Sequence, residues 1–190
     1  MVRMPSVFLS HGSPMILLDD CPARRFYGEY AATLERPAGI LMISAHWDTP
    51  VVAVATTDRP GTIHDFYGFP DAMYRFHYDV AGAPELAAEA AGFLQRGGFE
   101  VFADPGRGLD HGAWVPLVYM FPDGDIPVAQ LSIQSHLGPE HHLRLGQALA
   151  PLRDAGVLIL CSGNITHGRR AGPVDMSPLD WVSDFSDWIF

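Results

Sequence analysis

The stretch Gly39–Trp47, GILMISAHW, decides the fold. Gly39 to Ile43 is short, apolar and partly β-branched, follows Pro37 and lacks a 3.6-residue period, so it predicts a strand buried on both faces. Such a strand carries almost no polar side chains, and His46 marks where it leaves the core. In open α/β sheets, ligands bind beyond the carboxyl ends of the strands. The pattern recurs three times: Ser6–Ser10 (SVFLS) runs into His11, Pro127–Gln134 (PVAQLSIQ) into Ser135 and His136, and Val157–Cys161 (VLILC) into Asn164 and His167. Parallel strands would bring these histidine-bearing ends to one edge of the sheet.

Between the strands, Pro22–Leu34, Pro84–Gln95 and Pro139–Ala155 read as helices, the last bent near Pro151. Val51–Thr56 and Glu100–Phe102 read as short strands. Gly108–Pro116 (GLDHGAWVP) is assigned no regular element, and Thr62–Tyr78, crowded with rings, reads as a loop packed over a pocket. Strand–helix alternation throughout predicts one α/β domain over residues 1–190, in three layers around a central, mostly parallel sheet.

Composition narrows the partners. The 190 residues are 48% hydrophobic, enough for one well-buried domain. A net charge of −10, from 12 basic and 22 acidic residues, argues against a nucleic-acid partner. No stretch predicts a membrane span or a signal peptide. Two cysteines far apart in sequence, Cys21 and Cys161, fit a reducing compartment, so the expectation is a cytoplasmic protein.

Nine histidines invite a metal argument, but most histidines are not ligands. His141 and His142 lie on a helix and read as structural or solvent-facing, and His77 reads as a packing residue. His11, His46 and His167 differ, because each follows a strand end beside small residues. Two histidines from such ends, with one carboxylate or a third histidine, make a facial site with open positions, which suits non-haem Fe(II). On this pattern alone, hydrolase and oxygenase both remain open.

Six blocks then carry a resemblance: FLSHGSPM (Phe8–Met15), ISAHW (Ile43–Trp47), TIHDFYGFP (Thr62–Pro70), LDHGAWVPL (Leu109–Leu117), QLSIQS (Gln130–Ser135) and LCSGNITH (Leu160–His167). In this order the chain resembles the DOPA-type extradiol dioxygenases of class III. The resemblance implies non-haem Fe(II), with Zn(II) able to occupy the same site, and cleavage of a catechol-type ring with O2. It implies His11 and His46 as metal ligands, His167 as acid/base, and His111 as a pocket residue acting on substrate and O2. His64 and Asn164 are implied as substrate contacts.

The resemblance also implies a third metal ligand, histidine or glutamate, beyond the last helix. No residue here matches it, so the expectation is a chain lacking the family's C-terminal segment, its site completed by water, a partner, His167 or His64. Trp181, Phe185, Trp188 and Ile189 lie at helical spacing and predict an exposed apolar patch and association, as a homo-oligomer or with a missing segment. A non-enzymatic Memo-like binding protein is the alternative. The histidines at positions 111 and 167 favour the enzyme over it. A zinc hydrolase ranks last, because no glutamate base sits in the HGSP or SAHW blocks.

Overall fold

The computed structural model of the protein describes residues 2–166 and 179–189. Six strands form one sheet: β1 (Ser6–Ser10), β2 (Gly39–Asp48), β3 (Val52–Ala55), β4 (Val101–Asp104), β5 (Val128–Ile133) and β6 (Val157–Gly163). Their order is β1-β6-β2-β5-β3-β4, and every neighbouring pair is parallel except β3 with β5. The helices are α1 (Pro22–Ala31), α2 (Pro84–Arg96), α3 (His111–Met120), α4 (Gly138–Leu149) and α5 (Asp180–Ile189). None of the described helices is long and apolar enough to cross a membrane.

Strand alternation sorts the core into two layers. Ile40, Met42, Leu158 and Leu160 face α1 and α3, where Tyr27, Trp114 and Leu117 are buried. Leu41, Leu131 and Ile159 face the other way, onto Ala87, Leu94, Leu145 and Leu149 of α2 and α4. This is the three-layer α/β architecture expected from the alternation of elements.

Two differences from the sequence reading bear on the site. β2 does not stop at Ile43: it continues to Asp48, with a register shift against β5 between those two residues, so His46 lies within an irregular strand end. GLDHGAWVP also forms most of a helix. α3 is buried almost all round, with Trp114, Val115 and Leu117 fully covered, so it has no polar stripe to reveal a helical period. Gly112 and Pro116 disguise it further.

α5 follows the expected spacing. Trp181 is 49% exposed and Trp188 77%, and none of the helix's described residues is buried.

Candidate metal centre and active site

β6 lies between β1 and β2, so His11 and His46 start about two strand spacings, or ~10 Å, apart. The pairings Ser10–Gly163 and Ser44–Ser162 bring the three strand ends level. The His11 N–H extends the ladder by donating to the Gly163 carbonyl at 3.1 Å. From these anchors the two imidazoles lean over the end of β6, and their Nε2 atoms come within 3.0 Å. His111, the first residue of α3, closes the cluster, its ring centroid 4.0 Å from that of His46 and 5.2 Å from that of His11. One nitrogen from each of the three rings fits within a 4.8 Å group.

Neighbouring groups hold His11 and His111 by their Nδ1 atoms. His11 Nδ1 lies 2.7 Å from the buried Ser162 hydroxyl. Asp65 Oδ1 accepts from both the ring Nδ1–H and the backbone N–H of His111, each at 2.9 Å. Its Oδ2 lies 3.9 Å from His46 Nδ1, within ion-pair reach. Burial, helped by the neighbouring His111 and His46 rings, pushes the His11 imidazole down to about 4 and keeps its lone pair free of a proton. Burial alone would raise the Asp65 carboxyl, but the hydrogen bonds and charge of His111 outweigh it and bring it to about 2.

Beneath the rings, Asp110 is fully buried and caps α3, accepting from the Ala113 N–H. It also accepts from Ser44 Oγ on β2, Gln130 Nε2 on β5 and the Arg107 guanidinium, at 2.6, 2.6 and 2.7 Å. One carboxylate therefore ties the helix to the two central strands. Gly112 is required by the same closeness: a Cβ there would strike Ser44 Oγ and come within 2.9 Å of His46 Cδ2 and 3.2 Å of His11 Cε1.

A cavity of about 620 Å3 opens over the cluster, lined by His11, His46, Asp65 and His111, by Phe66, Tyr67 and Phe69, and by Gly12–Pro14, Asn164 and Thr166. The aromatic segment after Thr62 thus forms a wall of this cavity. Asn164 also fastens the turn after β1, its Oδ1 accepting from Ser10 Oγ and the Gly12 N–H.

The family model for the catalytic LigB subunit of aromatic ring-opening dioxygenase matches residues 5–174. The chain belongs to this ring-opening dioxygenase family. It is 47% identical over 187 residues to a 4,5-DOPA dioxygenase extradiol of Beta vulgaris, covering 96% of this chain and 70% of that one. It is 42% identical over 190 residues to the protein of the same description from Escherichia coli (strain K12), covering 98% and 69%. A crystal structure of an uncharacterized protein from Escherichia coli K12 superposes with a TM-score of 0.81 at 35% identity, over 98% of this chain and 71% of that one.

In this dioxygenase chain, four of the six residues singled out in the sequence meet at the cavity: His11, His46, His111 and Asn164. His64, expected as a substrate contact and as a substitute ligand, is placed elsewhere. Its Nε2 donates to the Phe76 carbonyl at 2.9 Å and its ring packs edge-on against Trp114, under the aromatic loop. His136 does not line the cavity either. His141 and His142 bond to Gln134 and brace the turn after β5. His167 lies outside the described residues.

The sequence reading passed over Asp65, Asp110 and Ser162. Asp65 and Asp110 each stand one residue before or after a histidine in a quoted block, the signal that could have marked them.

Proposed function

We propose that this protein is an extradiol dioxygenase that opens a catechol-type ring with O2 at a non-haem Fe(II) held by His11 and His46. The observation that carries the reading is the 3.0 Å approach of the two Nε2 atoms at the floor of an aromatic-walled cavity. Two ligands ~2.1 Å from one ion and 3.0 Å from each other subtend about a right angle, which suits a site with several open positions. The donors fit the metal: His11 is held neutral and its ring is oriented by Ser162. Zn(II) suits the same nitrogens, but it has no redox chemistry to offer O2, so the reaction favours iron. Bound there, Fe(II) would hold diol and O2 side by side and supply the electrons that activate O2.

The protein's own residues do the rest. Phe66, Tyr67 and Phe69 line the cavity and offer ring faces to a flat aromatic substrate. His111 faces the diol with Nε2, since its Nδ1–H is given to Asp65. It accepts a proton from a hydroxyl, or donates a hydrogen bond to negative charge developing on oxygen. Asn164 borders the substrate space. His167, by resemblance, exchanges a second proton. The relatives named for 4,5-DOPA make a catechol bearing a charged side chain the first substrate to try.

The test is anaerobic loading with Fe(II), followed by oxygen-uptake and ring-opening assays over a panel of catechols. The expected result is stoichiometric O2 uptake with an extradiol product, lost in His11→Ala and His46→Ala together with bound iron. Retention of iron by both variants would refute the assignment of the ligands.

A further inference from the structure

One carboxylate touches two of the three clustered histidines. Asp65 is the only residue of the aromatic loop whose described side chain is bonded to His111, and it meets that residue twice, at the ring and at the backbone N–H that opens α3. Its second oxygen faces His46 Nδ1 at 3.9 Å. A carboxylate can only accept, so the His111 nitrogen facing it must carry the hydrogen. That fixes the tautomer and leaves Nε2 as the basic atom. The same arrangement orients metal-bound histidines, and it orients the general-base histidine of hydrolytic triads.

We propose that Asp65 is the positioning residue of this site: it holds His111 in the tautomer that presents Nε2 to substrate. The inference rests on the dioxygenase reading for its kinetic consequence, but not for its structural one. Asp65 belongs to the loop that also carries Phe66, Tyr67 and Phe69 into the cavity wall. One segment therefore supplies both part of the cavity wall and the acceptor that orients His111.

The experiment compares wild type with Asp65→Asn, Asp65→Glu, His111→Gln and the double variant Asp65→Asn/His111→Gln. Nitrogen-15 NMR of histidine-labelled, metal-free protein reads the His111 tautomer directly. The expected result is an Nδ1–H ring in wild type and a mixed or reversed population in Asp65→Asn. Fe(II)-loaded protein with catechol as substrate should lose about 10–100-fold in kcat on Asp65→Asn, with a smaller change in KM. Asp65→Glu should recover part of the loss, and Asp65→Asn should cost little more once His111 is already Gln. An unchanged tautomer in Asp65→Asn overturns the proposal, and so does an additive double variant. A tautomer change in a protein that cleaves no catechol at all would keep the positioning role and sink the dioxygenase reading instead. Matching thermal unfolding of Asp65→Asn and wild type separates these effects from loss of fold.

Discussion

Gly112→Ala sets two physical effects against each other at the centre of the site. Gly112 lies in the first turn of α3 and its φ is not positive, so helix propensity alone favours alanine by ~1 kcal/mol. The added methyl, however, would overlap Ser44 Oγ and crowd His46 Cδ2 at 2.9 Å and His11 Cε1 at 3.2 Å, where ordinary carbon contacts begin near ~3.5 Å. Ser44 cannot simply swing aside, because its hydroxyl donates to the buried Asp110 carboxylate at 2.6 Å. Overpacking costs ~1–3 kcal/mol and a lost hydrogen bond to a charged group ~1.5–3 kcal/mol, so after the propensity gain the net expectation is a destabilisation of about 1.5–5 kcal/mol. The rings are the other way out. Displacing either by a few tenths of an ångström spoils the 3.0 Å Nε2 pair, and metal affinity should fall by about 10–100-fold. Urea unfolding of the metal-free variant reads the first quantity, and Fe(II) or Zn(II) titration reads the second. A variant as stable as the parent that binds metal equally well would refute the close packing on which the site is built.

Two further outcomes follow from groups near the site. Asp110→Ala removes the acceptor of four donors and leaves the largely buried Arg107 unpaired, so unfolding should become easier by about 3–5 kcal/mol, measured by denaturant titration. Cys161 lies on the opposite face of β6 from Ser162, and burial raises its thiol to about 11. In the unfolded chain that thiol ionises from about pH 9, whereas the folded protein keeps it protonated. Its contribution, ~2–3 kcal/mol at most, is therefore complete below pH 9 and lost as the pH rises through 11. Cys161→Ala should flatten that alkaline limb in stability measured against pH.

The sequence by itself determined the layers and the edge at which the site lies. Runs such as Gly39–Ile43 and Val157–Cys161 are apolar without a helical period, and histidine or serine follows where burial on both faces ends. That switch from apolar to polar is local, so it is readable in one dimension. The quoted blocks likewise placed His11, His46, His111 and Asn164 around one site before any distance was known.

Only the tertiary structure decided how those residues meet. The insertion of β6 between β1 and β2 depends on pairing among residues more than a hundred positions apart, and no local pattern encodes it. α3 could not be read because complete burial erases the amphipathic signal that betrays a helix. His64 and His111 look alike in sequence, each beside an aspartate. One bonds to the Phe76 carbonyl within the aromatic loop and the other joins the histidine cluster with His11 and His46. Asp65 and Asp110 sit on a loop and at a helix cap, where carboxylates are usually exposed and unremarkable. Their roles arise from the donors that folding gathers around them: the ring and backbone of His111 in one case, and Ser44, Gln130, Arg107 and Ala113 in the other. Chemistry at a single position can be read from a residue's type, but partnership across the sheet needs the chain to close on itself.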